Sequence, residues 1–336
     1  MYMVTTLADI AQHVGVDVST VSIVLNDRPK AQRLLKETRQ RILDAARELN
    51  YQSSFTARAL ASGKTSTLAL VCGGIDNPYF AQIASTALEQ AAKLGYHLLI
   101  NAVRWEQEEE RRGVQMLLSR QVDGMLLHTG CLNDDSPLLK QLIKDNYPIV
   151  MLNLPKRYQH VSEVYSDFYP GLLAAVTHLK ALGHQQVHFV EYLRMKHQPV
   201  APKSVTFDKV CRELGVKASV SYCDLSTEAC MEKGRQLAES PHQAVIAYSD
   251  NATIGIINGL LELGRDVPGD MDVIGMDGTR WSEQYNPSLA CVVQDDVQLI
   301  SQSLEILLAK IKNPQMPCSH VAVPTSFRMG RSVGMG

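Results

Sequence analysis

The chain of 336 residues has no long apolar run and no recognisable export signal. No stretch approaches the ~18 uninterrupted apolar residues that a membrane-spanning helix needs. The N-terminus, MYMVTTLADIA, lacks the basic region followed by an apolar segment that marks a secretory signal peptide. These absences predict a soluble, cytoplasmic protein that does not contact a membrane.

The cysteines form no CxxC pair and show no spacing typical of a zinc site or a disulfide framework. Several of them lie in apolar, strand-like runs. We therefore expect reduced thiols, as in cytoplasmic proteins, and neither a metal nor a cofactor. The seven cysteines are Cys72, Cys131, Cys211, Cys223, Cys230, Cys291 and Cys318.

The chain also lacks a GxSxG nucleophile elbow, a P-loop, a GxGxxG fingerprint and an HExxH metal motif. The glycine pair in GGIDN is better explained as a tight turn. We therefore predict no catalytic residues, which argues against the alternative of an enzyme with an α/β catalytic core.

Charge is distributed unevenly, although the formal net charge is only −2 at pH 7. Residues 1–66 hold nine Lys and Arg against six Asp and Glu, whereas the remaining residues hold 24 against 29. A basic segment joined to an acidic body is typical of a DNA-binding module attached to another domain. A chance fluctuation of surface charge is the alternative, since the difference is small.

The stretch TLADIAQHVGVDVSTVSIVLN, at residues 6–26, predicts two short helices joined by a tight turn. Thr6 is placed to cap the first helix, and Asp9 lies in its first turn, where the helix dipole favours a negative charge. Gly15 ends this helix because glycine readily takes a positive φ, and Asp17 is placed to cap the second helix. This pattern indicates a helix-turn-helix unit, whose second helix enters the DNA major groove. An ordinary helical hairpin is the alternative.

The next segments predict a third helix and a linker. TRQRILDAARELN, with Thr38 as its cap, closes a helical head over residues 1–50. Residues 51–66 suggest a helix too short to be stable alone, which would become ordered only when something supports it. Basic residues in the loop before the third helix would contact DNA phosphates, or else form a solvated basic loop. They are Lys30, Arg33 and Lys36.

From Thr67 onward, apolar strand-like runs alternate with amphipathic helices. This alternation implies parallel sheets covered by helices on both faces, and two successive runs of it imply two α/β lobes. Ligands of open α/β sheets bind outside the carboxyl ends of the strands. The polar residues that follow the predicted strands are Asn77, His128, Asn153, Ser249, Asp250 and Asp277.

Eight segments of the chain follow one another in an order that is characteristic of one protein family. They are TLADIAQHVGVDVSTVSIVLN, TRQRILDAARELNY, ARALASGKT, IDNPYF, VDGMLLHTG, LKALGHQQVHFV, YSDNATIGIINGLLELGRDVPGDMDVIGMDG and PSLACVVQD. Through them the chain resembles the lactose-repressor-type (LacI family) bacterial transcriptional regulators over essentially its whole length.

The resemblance implies an all-α helix-turn-helix head plus an α/β two-lobed core that is similar to periplasmic binding proteins, with parallel sheets flanked by helices. The implied domains are a DNA-binding domain at 1–50, a hinge helix and linker at 51–66, and an effector-binding core at 67–336. In the core, the N-lobe would span about 67–165 plus 295–322, and the C-lobe about 166–294 plus 323–336.

The same resemblance implies where the chain contacts DNA. Base contacts correspond to Val18, Ser19 and Ile23, and the hinge leucine that wedges between central base steps corresponds to Leu60. Such a wedge costs a few kcal/mol of unstacking, which the contacts made by bent DNA must offset. The other implied DNA-binding residues are Thr6, Thr20, Ser22, Asn26, Ala57 and Arg58.

One of these DNA-contacting positions, and one further position in the hinge, depart from the family pattern. Most relatives carry Arg at the position of Ile23, and Ile cannot make the bidentate contact to guanine that Arg makes. An unusual operator half-site, with a thymine methyl at that step, is therefore expected. Ser53 stands where the hinge usually has proline, which raises the cost of ordering the hinge by less than ~1 kcal/mol.

The implied effector-binding residues also include departures. Lys203, four residues before Phe207, replaces an Arg that grips sugar hydroxyls in many relatives, and lysine lacks the bidentate fork. Ser249 replaces the usual Asn, and Asn153 stands where some relatives have Asp. The full implied set is Asn77, Tyr79, Phe80, His128, Asn153, Lys203, Ser249, Asp250, Asp277 and Trp281, the last as a stacking face.

Each of these assignments has a structural alternative. Tyr79 and Phe80 would pack the lobes together, and His128 would cap a helix or line the lobe interface. Asp250 would cap the helix that follows it. Lys203 would be a surface charge.

The predicted function is therefore a sequence-specific repressor of a carbohydrate uptake or catabolism operon, released from its operator by a sugar or sugar phosphate. A corepressor-dependent regulator, an activator, and a ligand-binding protein without a regulatory role are the alternatives. The chain ends at FRMGRSVGMG without a leucine heptad, so we expect a homodimer with twofold symmetry on a pseudo-palindromic double-stranded operator. Such a regulator would lie in the bacterial cytoplasm, associated with the nucleoid.

Ile23→Arg should shift the preferred operator toward guanine at one position in each half-site, because arginine can bridge guanine O6 and N7. Selection of bound sequences from a random DNA library, with wild-type protein in parallel, measures the shift. An unchanged preference would mean that the side chain at position 23 does not face the bases.

Overall fold

A computed structural model describes residues 5–26, 29–51, 64–103, 106–128, 132, 136–153, 160–193, 203–224 and 226–335. The chain divides into two compact units, Met1–Thr65 and Ser66–Gly336. In the described ranges, no helix is long and apolar enough to cross a membrane.

The first unit is helical, as its sequence predicts. Its elements are α1 (Leu7–Val14), α2 (Val18–Leu25), a 3-10 turn (Pro29–Arg33) and α3 (Lys36–Glu48).

Side-chain caps and a buried cluster explain why these helices form. Thr6 and Asp9 make a reciprocal capping box at the start of α1, and Gly15 ends α1 with φ of 73°. Asp17 caps α2 by accepting a hydrogen bond from the Ser19 N–H at 2.7 Å. The buried side chains that join the three helices are Ile10, Ala11, Val14, Val21, Val24, Ile42, Ala45 and Ala46.

The predicted cap of the third helix is wrong. This helix begins at Lys36, two residues before Thr38, and its N-cap is Leu35 without a side-chain hydrogen bond. Lys36 and Glu37 are good helix formers, and the negative charge of Glu37 is favourable in the first turn of a helix. The helix therefore begins at Lys36, shortly after the 3-10 turn.

The second unit contains two lobes, each built on a six-stranded sheet. In the first lobe all neighbouring strands are parallel, in the order β11-β5-β4-β3-β1-β2. Its elements are β1 (Thr67–Cys72), α4 (Pro78–Lys93), β2 (His97–Ala102), α5 (Gln107–Ser119), β3 (Gly124–Leu127), α6 (Pro137–Lys144), β4 (Ile149–Leu152), β5 (Ser162–Asp167), α12 (Asp296–Lys312) and β11 (His320–Pro324).

The second lobe repeats this plan, with the order β12-β10-β9-β8-β6-β7 and one antiparallel pair, β10 with β12. Its elements are α7 (Tyr169–Ala181), β6 (Gln186–Tyr192), α8 (Lys203–Leu214), β7 (Lys217–Cys223), α9 (Thr227–Ala238), β8 (Ala244–Ala247), α10 (Asp250–Glu262), β9 (Asp272–Gly275), α11 (Arg280–Gln284), β10 (Ala290–Val293) and β12 (Ser326–Arg328). The predicted fold class is confirmed.

The chain passes between the lobes at three short crossovers, after β5, after β10 and after β11. Thr325, in the third crossover, is hydrogen-bonded to the first crossover. Its N–H and its hydroxyl both donate to the Asp167 carbonyl, at 3.0 and 2.8 Å. The Gly171 N–H in turn donates to the Thr325 hydroxyl at 3.2 Å. The first and third crossovers therefore lie side by side.

Three glycines let α9 and α10 approach closely. A Cβ atom on Gly234 would lie 2.2 Å from a backbone oxygen of α10, and one on Gly255 would lie 2.4 Å from the Cβ of Cys230. A Cβ atom on Gly259 would lie 2.0 Å from the carbonyl oxygen of Met231. Backbone atoms cannot move aside as a flexible side chain can, so these positions accept no larger residue without separating the helices.

Gly259→Ala should destabilise the core by about 1–3 kcal/mol through overpacking, even though alanine is the better helix former. Urea unfolding of wild type and variant, followed by circular dichroism, measures the difference in the free energy of unfolding. The matched control is Leu261→Ala, on the exposed side of the same helix, where we expect a change within about 0.5 kcal/mol. A Gly259→Ala protein at least as stable as wild type would contradict the close approach.

Candidate functional sites

The outer face of α2 carries the residues that the sequence predicts to contact DNA bases. Val18 is 43% exposed and Ser19 is exposed, whereas Val21 and Val24 are buried against the other helices. Ile23 is half-buried. The helix therefore presents its N-terminal residues outward, as a recognition helix requires.

The other predicted DNA-binding residues differ in how they are engaged. The Thr6 hydroxyl donates to Asp9 Oδ2 at 2.8 Å as part of the capping box. The Asn26 amide nitrogen donates to the Ser22 carbonyl at 2.8 Å, which fixes the end of α2. Thr20 and Ser22 are half-buried. The predicted hinge residues Ala57, Arg58 and Leu60 lie outside the described residues.

A second site lies in the cleft between the lobes, around the carboxamide of Gln294. Its Oε1 accepts hydrogen bonds from the Ser166 hydroxyl at 2.8 Å and from the Asn153 amide at 2.5 Å. Its Nε2 donates to Asp277 Oδ1 at 3.0 Å. Asn153 and Ser166 belong to the first lobe and Asp277 to the second, so one side chain joins both lobes.

Sequence reasoning did not single out Gln294, although it stands directly after β10, at the carboxyl end of a strand. The rule that selected the other cleft residues applies to it as well. Gln82 was also missed: its Nε2 donates to Asp296 Oδ2 at 2.6 Å, and its Oε1 accepts from the Arg280 N–H at 3.0 Å. Nothing in the pattern of α4 distinguishes Gln82 from an ordinary exposed glutamine.

Three rings form an aromatic wall at the first-lobe side of the cleft. The His128 ring meets Tyr79 at 5.6 Å and Phe80 at 5.1 Å between centroids, both edge-on. Burial, and secondarily the charge of Lys203, lower the pKa of His128 to about 3, so the imidazole is neutral at pH 7. Within the described residues, His128 Nδ1 is buried without a hydrogen-bond partner.

Lys203 is a cleft residue, and its interpretation as a surface charge is wrong. Its side chain is 12% exposed, and Nζ donates to the Tyr248 carbonyl at 2.8 Å and lies 3.8 Å from Asp277 Oδ1. Nζ also lies 4.1 Å from the centroid of the Tyr248 ring and 4.5 Å from that of Phe168. Burial lowers the pKa of Lys203, while the neighbouring carboxylates favour its charged form.

Two buried carboxyl groups stand opposite this lysine. Asp277 Oδ2 accepts the Asp250 N–H at 3.2 Å, and Asp250 Oδ2 accepts both the N–H and the hydroxyl of Thr279 at 2.7 Å. Burial raises the pKa of Asp277 to about 8, against the opposing effect of the Lys203 charge. The cleft therefore holds a buried lysine and two buried carboxyl groups that act on one another.

The alternative interpretation of Asp250 as a helix cap is wrong. Ser249 is the N-cap of α10, and its side chain accepts the Ala252 N–H at 3.2 Å. Asp250 follows as the first helical residue, with its carboxylate directed to Thr279 instead. Ser249 occupies the N-cap position, where its hydroxyl can accept the backbone N–H three residues ahead.

Two further residues were predicted to line the cleft, Asn77 and Trp281. Asn77 caps α4 by accepting the Tyr79 N–H at 3.0 Å. Trp281, in α11, is 63% exposed and so does not belong to the buried network. Among the residues that the structure describes, no group of three His, Cys, Asp or Glu side chains could hold a metal ion.

Asp296→Asn should remove a pH-dependent loss of stability. Burial raises the pKa of Asp296 from 3.8 to about 7 in the folded protein. Between these values the folded state keeps a proton that the unfolded state has released, so this carboxyl group's contribution to stability falls as the pH rises. The variant is neutral throughout, so its stability relative to wild type should increase by about 1–3 kcal/mol between about pH 5 and about pH 8.

Urea unfolding at several pH values measures this difference. Asp145→Asn, at the end of α6, is the control, because Asp145 is exposed and its charge is not among those that act on Asp296. Parallel stability profiles for wild type and Asp296→Asn would contradict the raised pKa.

Comparison with known proteins identifies both parts of the chain. The family described as "Bacterial regulatory proteins, lacI family" matches residues 6–54, and the "Periplasmic binding protein-like domain" matches residues 176–333. The ribose operon repressor of Halalkalibacterium halodurans is 30% identical over 335 residues, which cover 96% of this chain and 95% of that protein. Catabolite control protein A of Priestia megaterium is 26% identical, covering 98% and 99% of the two chains.

The fold matches solved structures as well. The lac repressor dimer, solved with operator and the anti-inducer ONPF, superposes with a TM-score of 0.84 and 23% sequence identity. The match covers 98% of this chain and 99% of that chain. The fold, with a helical head and a two-lobed core, is therefore shared with that structure.

Proposed function

This chain belongs to the lacI family of bacterial regulatory proteins, and from that membership we propose that it represses a carbohydrate uptake or catabolism operon under the control of a small molecule. The observation that carries the proposal is the hydrogen-bond network around Gln294, which joins the two lobes across a cleft lined by the family's effector positions. Repression is the activity named for the relative with 30% identity, the ribose operon repressor.

The head supplies sequence-specific DNA binding. Val18 and Ser19 project from the N-terminal turn of α2, where they would reach base edges in the major groove, and Ile23 follows one turn later. Exposed Lys30, Arg33 and Lys36 would contact phosphates and set the orientation of the head without reading sequence.

We propose the domain division 1–50, 51–66 and 67–336 together with a symmetric homodimer on a pseudo-palindromic operator. A twofold dimer places two recognition helices in successive major grooves, so a palindromic site matches its symmetry. Between the heads, Ala57, Arg58 and Leu60 would enter the minor groove, with the leucine wedged between base steps. Because its target is chromosomal DNA, the protein would act in the cytoplasm, at the nucleoid, and it needs no catalytic residue.

In this proposal, ligand binding in the cleft controls the affinity of the head for DNA. Asn153, Ser166 and Asp277 satisfy one another through Gln294 across the two lobes. A sugar that enters the cleft has to replace these hydrogen bonds with bonds to its own hydroxyls. Because the polar groups belong to both lobes, the sugar binds more tightly to the lobe arrangement that places them within its reach. Operator affinity then changes by the ligand's difference in affinity for the two arrangements, and by no more than that.

The chemistry of the cleft suits a polyhydroxylated ligand. The edges and faces of Tyr79 and Phe80 offer apolar surface, and His128 Nδ1 offers a buried polar atom without a partner among the described residues. Asp277 and Asn153 add an acceptor and a donor on opposite lobes. Small-molecule sites commonly combine an aromatic surface with a few such convergent polar groups.

A thermal-shift screen of the full-length protein against sugars and sugar phosphates tests the proposal. A ligand at a hundred times its dissociation constant adds about 2.7 kcal/mol of apparent stability. The stabilising compound should then lower operator affinity in a gel-shift titration.

Two variants locate the binding site. Asp277→Asn should abolish the thermal shift, whereas Asp208→Asn, on a half-exposed side chain of α8, should leave it unchanged. Equal shifts in wild type and Asp277→Asn would place the ligand elsewhere, and a bound ligand without effect on operator affinity would remove its role as effector.

A further inference from the structure

Two cysteine side chains meet in the second lobe, away from the cleft network. Cys223 ends the edge strand β7, and Cys230 lies in the first turns of α9. The Sγ atoms lie 3.0 and 3.4 Å, respectively, from the same acceptor, the carbonyl oxygen of Asp224. Each thiol is also the strongest influence on the pKa of the other.

Three buried cysteines elsewhere in the core lie in surroundings that suppress reactivity. Burial raises the pKa of Cys72 to about 11 and that of Cys211 to about 12. It also raises the pKa of Cys291 well above its ordinary value. Since the thiolate is the reactive form, these three thiols should be inert near neutral pH.

We propose that Cys223 and Cys230 are a reversible redox site that hydrogen peroxide or an organic hydroperoxide oxidises to a disulfide. Disulfides of proteins in reducing compartments are usually transient and redox-sensing, and closely paired thiols of this kind are their precursors. The site requires no ligand in the cleft and is independent of the proposed effector.

The reaction has two balanced steps. The Cys223 thiolate attacks one peroxide oxygen, the O–O bond breaks, and the departing hydroxide takes up a proton to leave as water, which gives a sulfenic acid. Cys230 Sγ then attacks Cys223 Sγ, the S–O bond breaks, and the hydroxyl leaves as water with the Cys230 thiol proton. The two thiols lose two electrons, and hydrogen peroxide is reduced to two molecules of water. With an organic hydroperoxide, the first step releases the corresponding alcohol in place of one water.

The two cysteines have different roles. The neighbouring thiol of Cys230, assisted by the charge of Lys233, lowers the pKa of Cys223, while the presence of Cys223 raises the pKa of Cys230. Cys223 is also the more exposed, at 5% against 1%. Cys223 is therefore the attacking thiol and Cys230 the resolving thiol.

Packing determines which residue moves when the bond forms. The Sγ atoms must come to ~2 Å of each other in a disulfide. Cys230 is held between α9 and α10, because its Cβ packs directly on the backbone of Gly255. The end of β7 therefore has to approach α9, since an edge strand is bonded on one side only.

The chain provides a direct assay. Trypsin cuts after Lys217 and Lys233, and the peptide 218–233 contains both cysteines and no internal Lys or Arg. Full-length protein treated with hydrogen peroxide and then alkylated should yield this peptide 2 Da lighter than its reduced, unalkylated form, and dithiothreitol should restore two alkylatable thiols. Loss of these thiols should be roughly tenfold faster than loss of the Cys211 thiol.

Single variants separate the two roles. Cys230→Ser should accumulate a sulfenic acid at Cys223 that dimedone traps, whereas Cys223→Ser should leave Cys230 reduced under the same treatment. Cys318→Ser, in the first lobe, is the control and should form the 218–233 disulfide as wild type does. The proposal is overturned if both thiols stay alkylatable while Met231 of the same peptide is oxidised, or if peroxide links either cysteine to another peptide instead.

Discussion

The hydrogen bonds of the Gln294 carboxamide link polar side chains of the two lobes across the cleft. An amide can accept at its oxygen and donate from its nitrogen at the same time, and here the oxygen faces the first lobe and the nitrogen faces the second. Gln294 lies on a crossover between the lobes, so its side chain is within reach of polar groups on both.

The cleft concentrates groups that are costly to bury. Asp250, Asp277 and Asp296 are all nearly inaccessible, and the charge of Lys203 acts on Asp277 and Asp250. Such an arrangement contributes little to stability, because removing charges from water costs about as much as their attraction returns. Titratable groups whose pKa values are strongly shifted by burial and neighbouring charges are common at functional sites, which agrees with the proposed effector site.

Local features of the sequence predicted the head well, because its helix boundaries depend on neighbours a few residues away. The caps at Thr6, Gly15 and Asp17 are confirmed. The start of the third helix was wrong because it depends on the turn before it, which the cap rule for Thr38 ignores. The strand and helix alternation likewise predicted both lobes, since a parallel sheet buried on both faces leaves a clear apolar pattern.

The cleft was only partly predictable. Strand ends indicated His128, Asn153 and Asp277, but the role of Gln294 exists only once two lobes face each other. Asn153 adopts a φ of 49°, and its amide oxygen accepts the Ser166 N–H at 2.8 Å. No periodicity in the sequence reports such a turn. Similarly, Lys203 looks like any lysine at the start of a helix until Phe168 and Tyr248 are seen to enclose it.

The hydrogen bonds of Thr325 restrict how the two lobes can move relative to each other. Because this residue bonds the third crossover to the first, these two connections cannot bend independently. We expect them to bend together whenever the lobes rotate relative to each other. Side chains in the cleft could then be exchanged during evolution to suit different ligands, while the mechanical output delivered to the rest of the protein stayed the same.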